Sequence, residues 1–333
     1  MSGGALDVIL WALQAGESKG HVASMAISLN PLFRKAILTA ATNPAVQGLV
    51  DRYGDRLGAQ RFTAGKNFDE CLRTLEDLTA QGFYTYVTPL GEALDDEREI
   101  QAVVDEFRMI LTRLAFARLD TTLNVKLTQI GLRISEDLAF QNLLRIVDRA
   151  AQDQRFTRIS MEESETVDAT LRCYRRLREA GYDNVGVVLQ SYLYRSEDDL
   201  KALLEYQPNV RLVKGAYLEP ESVAYPAKRD VDVAYLRLLK RSMSYAGYTA
   251  IATHDERIIN YALEYAERNG IEQSRFEFQM LLGVRSELQR SLVERGLRVR
   301  LAVPYGPDWY PYFMRRLAER PANLLFIARN LLA

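Results

Sequence analysis

Near the C-terminus, Tyr312, Arg315, Arg316 and Glu319 stand at i, i+3, i+4 and i+7, the spacing that puts side chains on one face of a helix. Two adjacent guanidinium groups form a fork that can grip a carboxylate through parallel hydrogen bonds. The same stripe could serve as a solvated ion-pair face, with Arg315 and Arg316 pairing with Glu319. Arg211 implies more, because it interrupts the otherwise apolar run 210–214 (VRLVK), where alternation puts it on the same face as Val213 and Gly215. A cation facing a protein interior must be paired or must face a ligand. Beside it, Lys214 offers a point charge suited to phosphate, and Gly215 would let a bulky ligand approach the backbone.

Positioning such residues requires a framework, and the hydrophobic periodicity supplies one. Short apolar or β-branched runs recur at 83–88, 123–127, 156–161, 185–190, 210–214, 249–253, 276–281 and 298–303. Amphipathic segments separate them, two with capping-box patterns, Ser196-x-x-Asp199 and Ser286-x-x-Gln289. Eight strands alternating with helices predict an α/β fold, a closed (βα)8 barrel of the TIM type over 81–333. A doubly wound open sheet is the competitor, but no GxGxxG follows any strand. Residues 1–80 carry no strand signal: Pro31–Leu57 and Phe68–Ala80 read as helices, an N-terminal arm packing on the barrel. In such barrels the active site lies at the C-terminal strand ends. Here those ends are polar: Lys126, Ser160 and Glu162, Gln190, Lys214-Gly215, and Thr253-His254. Any one alone reads as a solvated rim residue; several converging on one mouth read as a site. The last helix opens at Pro307-Asp308-Trp309, directly beyond the eighth strand, so its first turns start at the same rim.

Bulk properties narrow the partner. The 333 residues are 48% hydrophobic, enough for a large buried core, and 43 Lys plus Arg balance 44 Asp plus Glu, so no global field favours nucleic acid. Cys71 and Cys173 lack CxxC spacing, and His21 and His254 are the only histidines, which argues against a disulfide framework and excludes a multi-histidine metal site. The apolar stretch Leu6–Leu13 is far short of the roughly 20 residues that a spanning helix needs. A small-molecule partner and a cytoplasmic protein, with at most peripheral contact at the inner face of a membrane, are expected.

Several segments closely resemble bacterial proline dehydrogenases: VRLVKGAYLEP (210–220), IATHDERII (251–259), FEFQMLLGVR (276–285), VPYGPDWYPYFMRRLAERPANLL (303–325), VKLTQIGL (125–132), VVLQSYLYRSEDDL (187–200), LGE (90–92) and the lead 33–65. The resemblance implies a distorted (βα) barrel that holds FAD along the strand ends and oxidises proline, or a close relative of it, to a cyclic imine by hydride transfer. Electrons then pass to a membrane quinone. On this resemblance Arg211 bonds the isoalloxazine near its reactive nitrogen and, with the position of Ser160, belongs to the catalytic set. Met161, Gln190, Val213, Lys214, Gly215, Ala216, Thr253, His254 and Glu319 line the FAD. Lys126, Arg315 and Arg316 bind the substrate carboxylate; Tyr217, Leu281, Ala302 and Tyr312 shape the pocket; Glu92 pairs with Arg315 as a gate.

Three positions depart from the family pattern. Thr88 and Ser160 stand where the family places aspartates, and Ala302 where it places a tyrosine. Fewer acids leave the pocket cations less balanced, and the missing phenol opens space beside the substrate. A specialised paralogue acting on a larger or more anionic cyclic amino acid, and a barrel binding an anionic metabolite without turnover, therefore stand beside proline oxidation.

Overall fold

The computed structural model describes residues 61–310 and 312–314. The helix expected over Pro31–Leu57, most of the 1–80 arm, and Arg315, Arg316 and Glu319 lie outside the described residues. The chain divides into two units, residues 1–71 with 303–333, and residues 72–302.

The strands are β1 (Tyr84–Pro89), β2 (Thr121–Val125), β3 (Thr157–Ile159), β4 (Val185–Gln190), β5 (Asn209–Val213), β6 (Tyr248–Ala252), β7 (Phe276–Leu281) and β8 (Val299–Tyr305). They close into a barrel in chain order, with parallel pairing from β1 through β8. The helices are α1 (Phe68–Ala80), α2 (Glu97–Phe116), α3 (Glu136–Gln152), α4 (Val167–Glu179), α5 (Ser196–Leu203), α6 (Lys228–Tyr245), α7 (Glu256–Arg268) and α8 (Ser286–Glu294). The expected (βα)8 barrel is therefore present.

Alternation along each strand separates two chemistries. One face is buried and mostly apolar: Val87, Leu123, Val125, Ile159, Val187, Val210, Leu212, Ile251, Phe278 and Val299 have no accessible surface, and its polar members are the buried threonines Thr85, Thr121, Thr157 and Thr249. The other carries the charged residues and the side-chain amides, and contacts between non-adjacent strands identify it as the barrel interior. Arg211 on β5 bonds Asn124 on β2 and lies over the Tyr86 ring on β1. Only a path through the interior joins those strands.

Two local expectations need correction. Neither capping box forms, because its serine is not the N-cap: Arg195 precedes α5 and Arg285 precedes α8 in that place. Ser196 Oγ instead donates to the Gln190 carbonyl, Asp199 is held by Arg195, and Gln289 donates to the Leu281 and Val284 carbonyls. Side-chain caps are supplied by Asp96, Ser135 and Asp255. The second strand stops at Val125 rather than Leu127, since Leu127–Ile130 winds into a 3-10 turn whose Thr128 amide and hydroxyl both donate to Glu162.

Within the first unit, Ala64 N donates to the Pro304 carbonyl at 2.8 Å and Gly306 N to that of Gly65 at 3.1 Å, so the segment before α1 runs beside the end of β8. Helical residues resume at Trp309, where the sequence places the start of the last helix. Phe313 packs against Phe62 and Trp309 at ring distances of 6.2 and 5.8 Å.

Candidate active site

The parity that places Arg211 inside the barrel also gathers the expected rim residues of the second unit. Thr88, Lys126, Ser160, Gln190, Val213 and Leu281 occupy inward positions at or just beyond the C-terminal ends of their strands, and Ala302, in the middle of β8, faces inward at the level of Leu281. Ala302 pairs in register with Leu281, so a small residue and an aliphatic one sit side by side at the mouth.

Each site group is held by identifiable partners. Lys126 follows β2 and donates from Nζ to the Gly91 carbonyl at 3.3 Å, tying it to the loop that carries Glu92, which is exposed. Ser160 continues β3, its amide bonded to the Val125 carbonyl at 2.8 Å. Met161 is buried, and Gln190, 2% exposed, donates to the Glu162 carbonyl at 2.7 Å. Thr253 is buried and its hydroxyl accepts from Asp255 N. His254 Nε2 accepts from Leu281 N at 2.9 Å, which puts the proton of a neutral ring on Nδ1 and links the ends of β6 and β7. Ala216 is exposed and Tyr217 half-buried on the loop after β5. That loop is tied down by Glu219, which accepts from the amide and hydroxyl of Ser164 at 2.7 and 2.6 Å. Tyr312 is half-buried in the other unit, and the Glu92–Arg315 pair is beyond the described residues on its arginine side.

Gly215 is needed for a reason the sequence conceals. Its backbone has φ +113°, and a Cβ there would lie 2.2 Å from the ring of Tyr192. The space is occupied by the protein itself, not left for a ligand. Lys214 is likewise no isolated charge. Its Nζ lies 2.6 Å from Asp232 and 3.5 Å from Asp255; Lys228 also pairs with Asp232, and Arg257 with Asp255 at 2.8 Å. These three cations and two carboxylates leave one surplus positive charge beside the strand ends, suited to an anionic ligand.

Burial would raise the Asp255 pKa, but bonds from Arg257 and the Lys214 charge outweigh it and hold the carboxyl at about 2. A carboxylate with a depressed folded-state pKa stabilises the protein above its unfolded value of about 3.9, and that contribution is lost as pH falls through the folded value. Asp255→Asn should therefore destabilise the protein at neutral pH, with the gap from wild type closing as pH falls from about 4 to about 2. Denaturant midpoints measured across that range check it; a gap independent of pH contradicts it.

Three interior residues escaped the sequence reading. Arg158 donates to the Val187 and Asn209 carbonyls and to Asn209 Oδ1, and Gly186 keeps this corner open, since a Cβ there would lie 2.6 Å from the Asn209 carbonyl oxygen, 2.7 Å from the Phe156 ring and 3.0 Å from Arg158 Nη1. Arg300 grips Glu277 through Nε at 2.9 and 3.1 Å and donates to the Thr85 carbonyl. The signal was present in FTRISM, FEFQML and RVRLAV, each with a charge at an inward position of a buried strand. Glu162, 5% exposed, is more than a polar strand end: burial raises its pKa against the opposing bonds from Thr128 and the charge of Lys126.

Arg211 is 5% exposed, yet its Nε has no hydrogen-bond partner among the described residues, and neither has the buried Gln279 Oε1. A buried donor left unmade costs about 1–3 kcal/mol, so a ligand offering an acceptor to Arg211 suits this interior.

A closed parallel barrel with its polar side chains converging at the C-terminal strand ends defines a (βα)8 enzyme scaffold. The chain belongs to the proline dehydrogenase family, whose model matches residues 71–329. It is 40% identical to proline dehydrogenase 1 of Bacillus subtilis subsp. natto over 301 residues, which covers 90% of this chain and 99% of the relative. It is also 40% identical to a proline dehydrogenase of Deinococcus radiodurans, covering 91% of this chain and 99% of that one. The fold is similar to proline utilization A of Bdellovibrio bacteriovorus inactivated by N-propargylglycine, with TM-score 0.76 and 22% identity. That likeness covers 93% of this chain and 40% of the larger protein. The family is generally flavin-dependent. Among the described residues no helix is long and apolar enough to cross a membrane.

Proposed function

We propose that the protein oxidises L-proline to 1-pyrroline-5-carboxylate, using non-covalently held FAD. Similarity to proline dehydrogenases over nine-tenths of the chain supports the substrate. The observation that carries the flavin is Arg211, a buried guanidinium whose Nε lacks a partner among the described residues. FAD, when bound, supplies the hydride acceptor. Arg211 holds the reacting end of the ring system, fixed by Asn124 and the Tyr86 ring, with Ser160 at the end of β3. Met161, Gln190, Val213, Lys214, Gly215, Ala216, Thr253, His254 and Glu319 complete the cofactor site. Lys126, Arg315 and Arg316 take the substrate carboxylate, with Lys126 releasing the Gly91 carbonyl to do so. Leu281, Ala302, Tyr217 and Tyr312 bound the pocket, Glu92 and Arg315 gate it, and a membrane quinone takes the electrons.

One observation favours a second reading. Ala302 brings no ring beside Leu281, and neither Thr88 nor Ser160 brings a carboxylate to the strand ends, which suits a larger or more anionic cyclic amino acid. Anaerobic titration distinguishes the two. The purified protein is expected to be yellow and to be bleached by proline; bleaching by an N-substituted or hydroxylated proline but not by proline itself selects the second reading. A colourless protein that takes up no FAD on reconstitution rejects the flavin chemistry altogether.

A further inference from the structure

Barrel interiors of this kind are usually filled by branched aliphatic side chains. Here the eight strands contain four charged residues, Arg158, Arg211, Glu277 and Arg300, all facing inward, with three positive charges against one negative. We propose that Arg158, Arg300 and Glu277 act as positioning charges that set the reduction potential of the bound flavin, an inference that rests on the flavin reading above.

Only one of the cations is neutralised. Arg300 is paired with Glu277, whose Oε1 also accepts from Gln279 Nε2 at 2.5 Å. Arg158 has no carboxylate partner, only two backbone carbonyls, the Asn209 amide oxygen and the Phe156 ring, while Arg211 has the Asn124 amide oxygen and the Tyr86 ring. Arg158, Arg211 and Arg300 are 3–5% exposed, so water screens their charges weakly. Burial and the neighbouring Arg211 pull the Arg158 pKa down to about 9, which still leaves it charged at neutral pH. Glu277 and Arg300 act on Arg211 in turn, with opposite signs. The interior that holds the group proposed to touch the flavin therefore carries two surplus positive charges, one of them Arg211 itself and the other Arg158.

Hydride transfer from proline breaks the bond between a ring carbon and its hydrogen and delivers two electrons and one proton to the flavin, which gains one negative charge. Surplus positive charge nearby favours that charged, reduced form over the neutral oxidised one. A cluster that merely filled the barrel would hold the strands together and leave this equilibrium alone.

The test compares midpoint potentials of the flavin in the holoenzyme and in Glu277→Gln, Arg158→Met and Arg158→Lys. Glu277→Gln removes the interior's negative charge, so its potential should rise; Arg158→Met removes a cation, so its potential should fall. Each shift is expected to reach about tenfold in the ratio of reduced to oxidised flavin, ~30 mV for a two-electron couple. Arg158→Lys keeps the charge and should restore the wild-type potential. Both neutralising variants should lose stability, so stability does not discriminate, whereas opposite signs in potential do. If Arg158→Met fails to fold, Glu277→Gln decides: a potential unchanged or lowered there overturns the proposal. Shifts of the same sign in both neutralising variants overturn it too. A wild-type protein that holds no flavin overturns this inference together with the flavin reading; flavin that proline bleaches, with potentials indifferent to these charges, overturns this inference alone.

Discussion

Arg211→Met is expected to slow reduction of the flavin by proline about 10²–10³-fold, the usual loss when a preorganised donor to developing charge is removed. Arg211 is preorganised in an observable sense. Its Nη2 is 3.1 Å from Asn124 Oδ1 and its guanidinium carbon 4.2 Å from the centre of the Tyr86 ring, so two partners from the far side of the barrel fix it before any ligand arrives. Methionine fills comparable volume but offers no donor and no charge. Stopped-flow mixing of reconstituted variant with proline under anaerobic conditions measures the step directly, and flavin content is measured separately so that weaker binding is not mistaken for slower transfer. A variant that retains flavin and is reduced at the parent rate would assign Arg211 to the barrel filling alone.

The second large effect is on stability. Arg300→Met should cost about 3–5 kcal/mol, because breaking a buried pair leaves a charge with no counter-ion. Burial alone would raise the Glu277 pKa, but Arg300 holds it below the usual carboxylate range, so the carboxyl is ionised at neutral pH and would be stranded. Gln279 would remain as a hydrogen-bond partner without charge. Replacing both partners, Arg300→Met with Glu277→Leu, should be milder than the single change, since no uncompensated charge remains. Urea denaturation of the wild type, the two single variants and the double variant checks the ordering. A double variant whose loss equals the sum of the two single losses would show that the pair is not coupled.

The barrel itself was legible because its signal is local. Each strand is a short apolar run whose outward residues are buried by helices, and the expected β4 and β7 coincide with the observed spans. Lys126, Ser160 and Gln190 could be placed at the mouth from strand ends and Val213 on the face of Arg211 from parity, whereas Leu281 and Ala302 were named by the family resemblance, which also supplied the roles. Where the sequence reading failed, a tertiary partner competed with a local pattern. Ser196 has the spacing of an N-cap, but the Gln190 carbonyl takes its hydroxyl; Thr128 stands just past a strand-like run, but Glu162 draws it into a 3-10 turn.

The amino-acid order alone determined the number and sequence of strands, the inward position of Arg211 and the membership of the polar rim, because period-two alternation assigns a face to every residue without knowledge of its neighbours. Only the closed barrel decided which charges meet. Arg300 and Glu277 pair through the register of β7 and β8, Arg211 reaches Asn124 across 87 positions of chain, and Gly215 is reserved for the ring of Tyr192. These contacts join residues far apart in sequence, and their strength comes from exclusion of water, which exists only once the helices and strands have enclosed the interior.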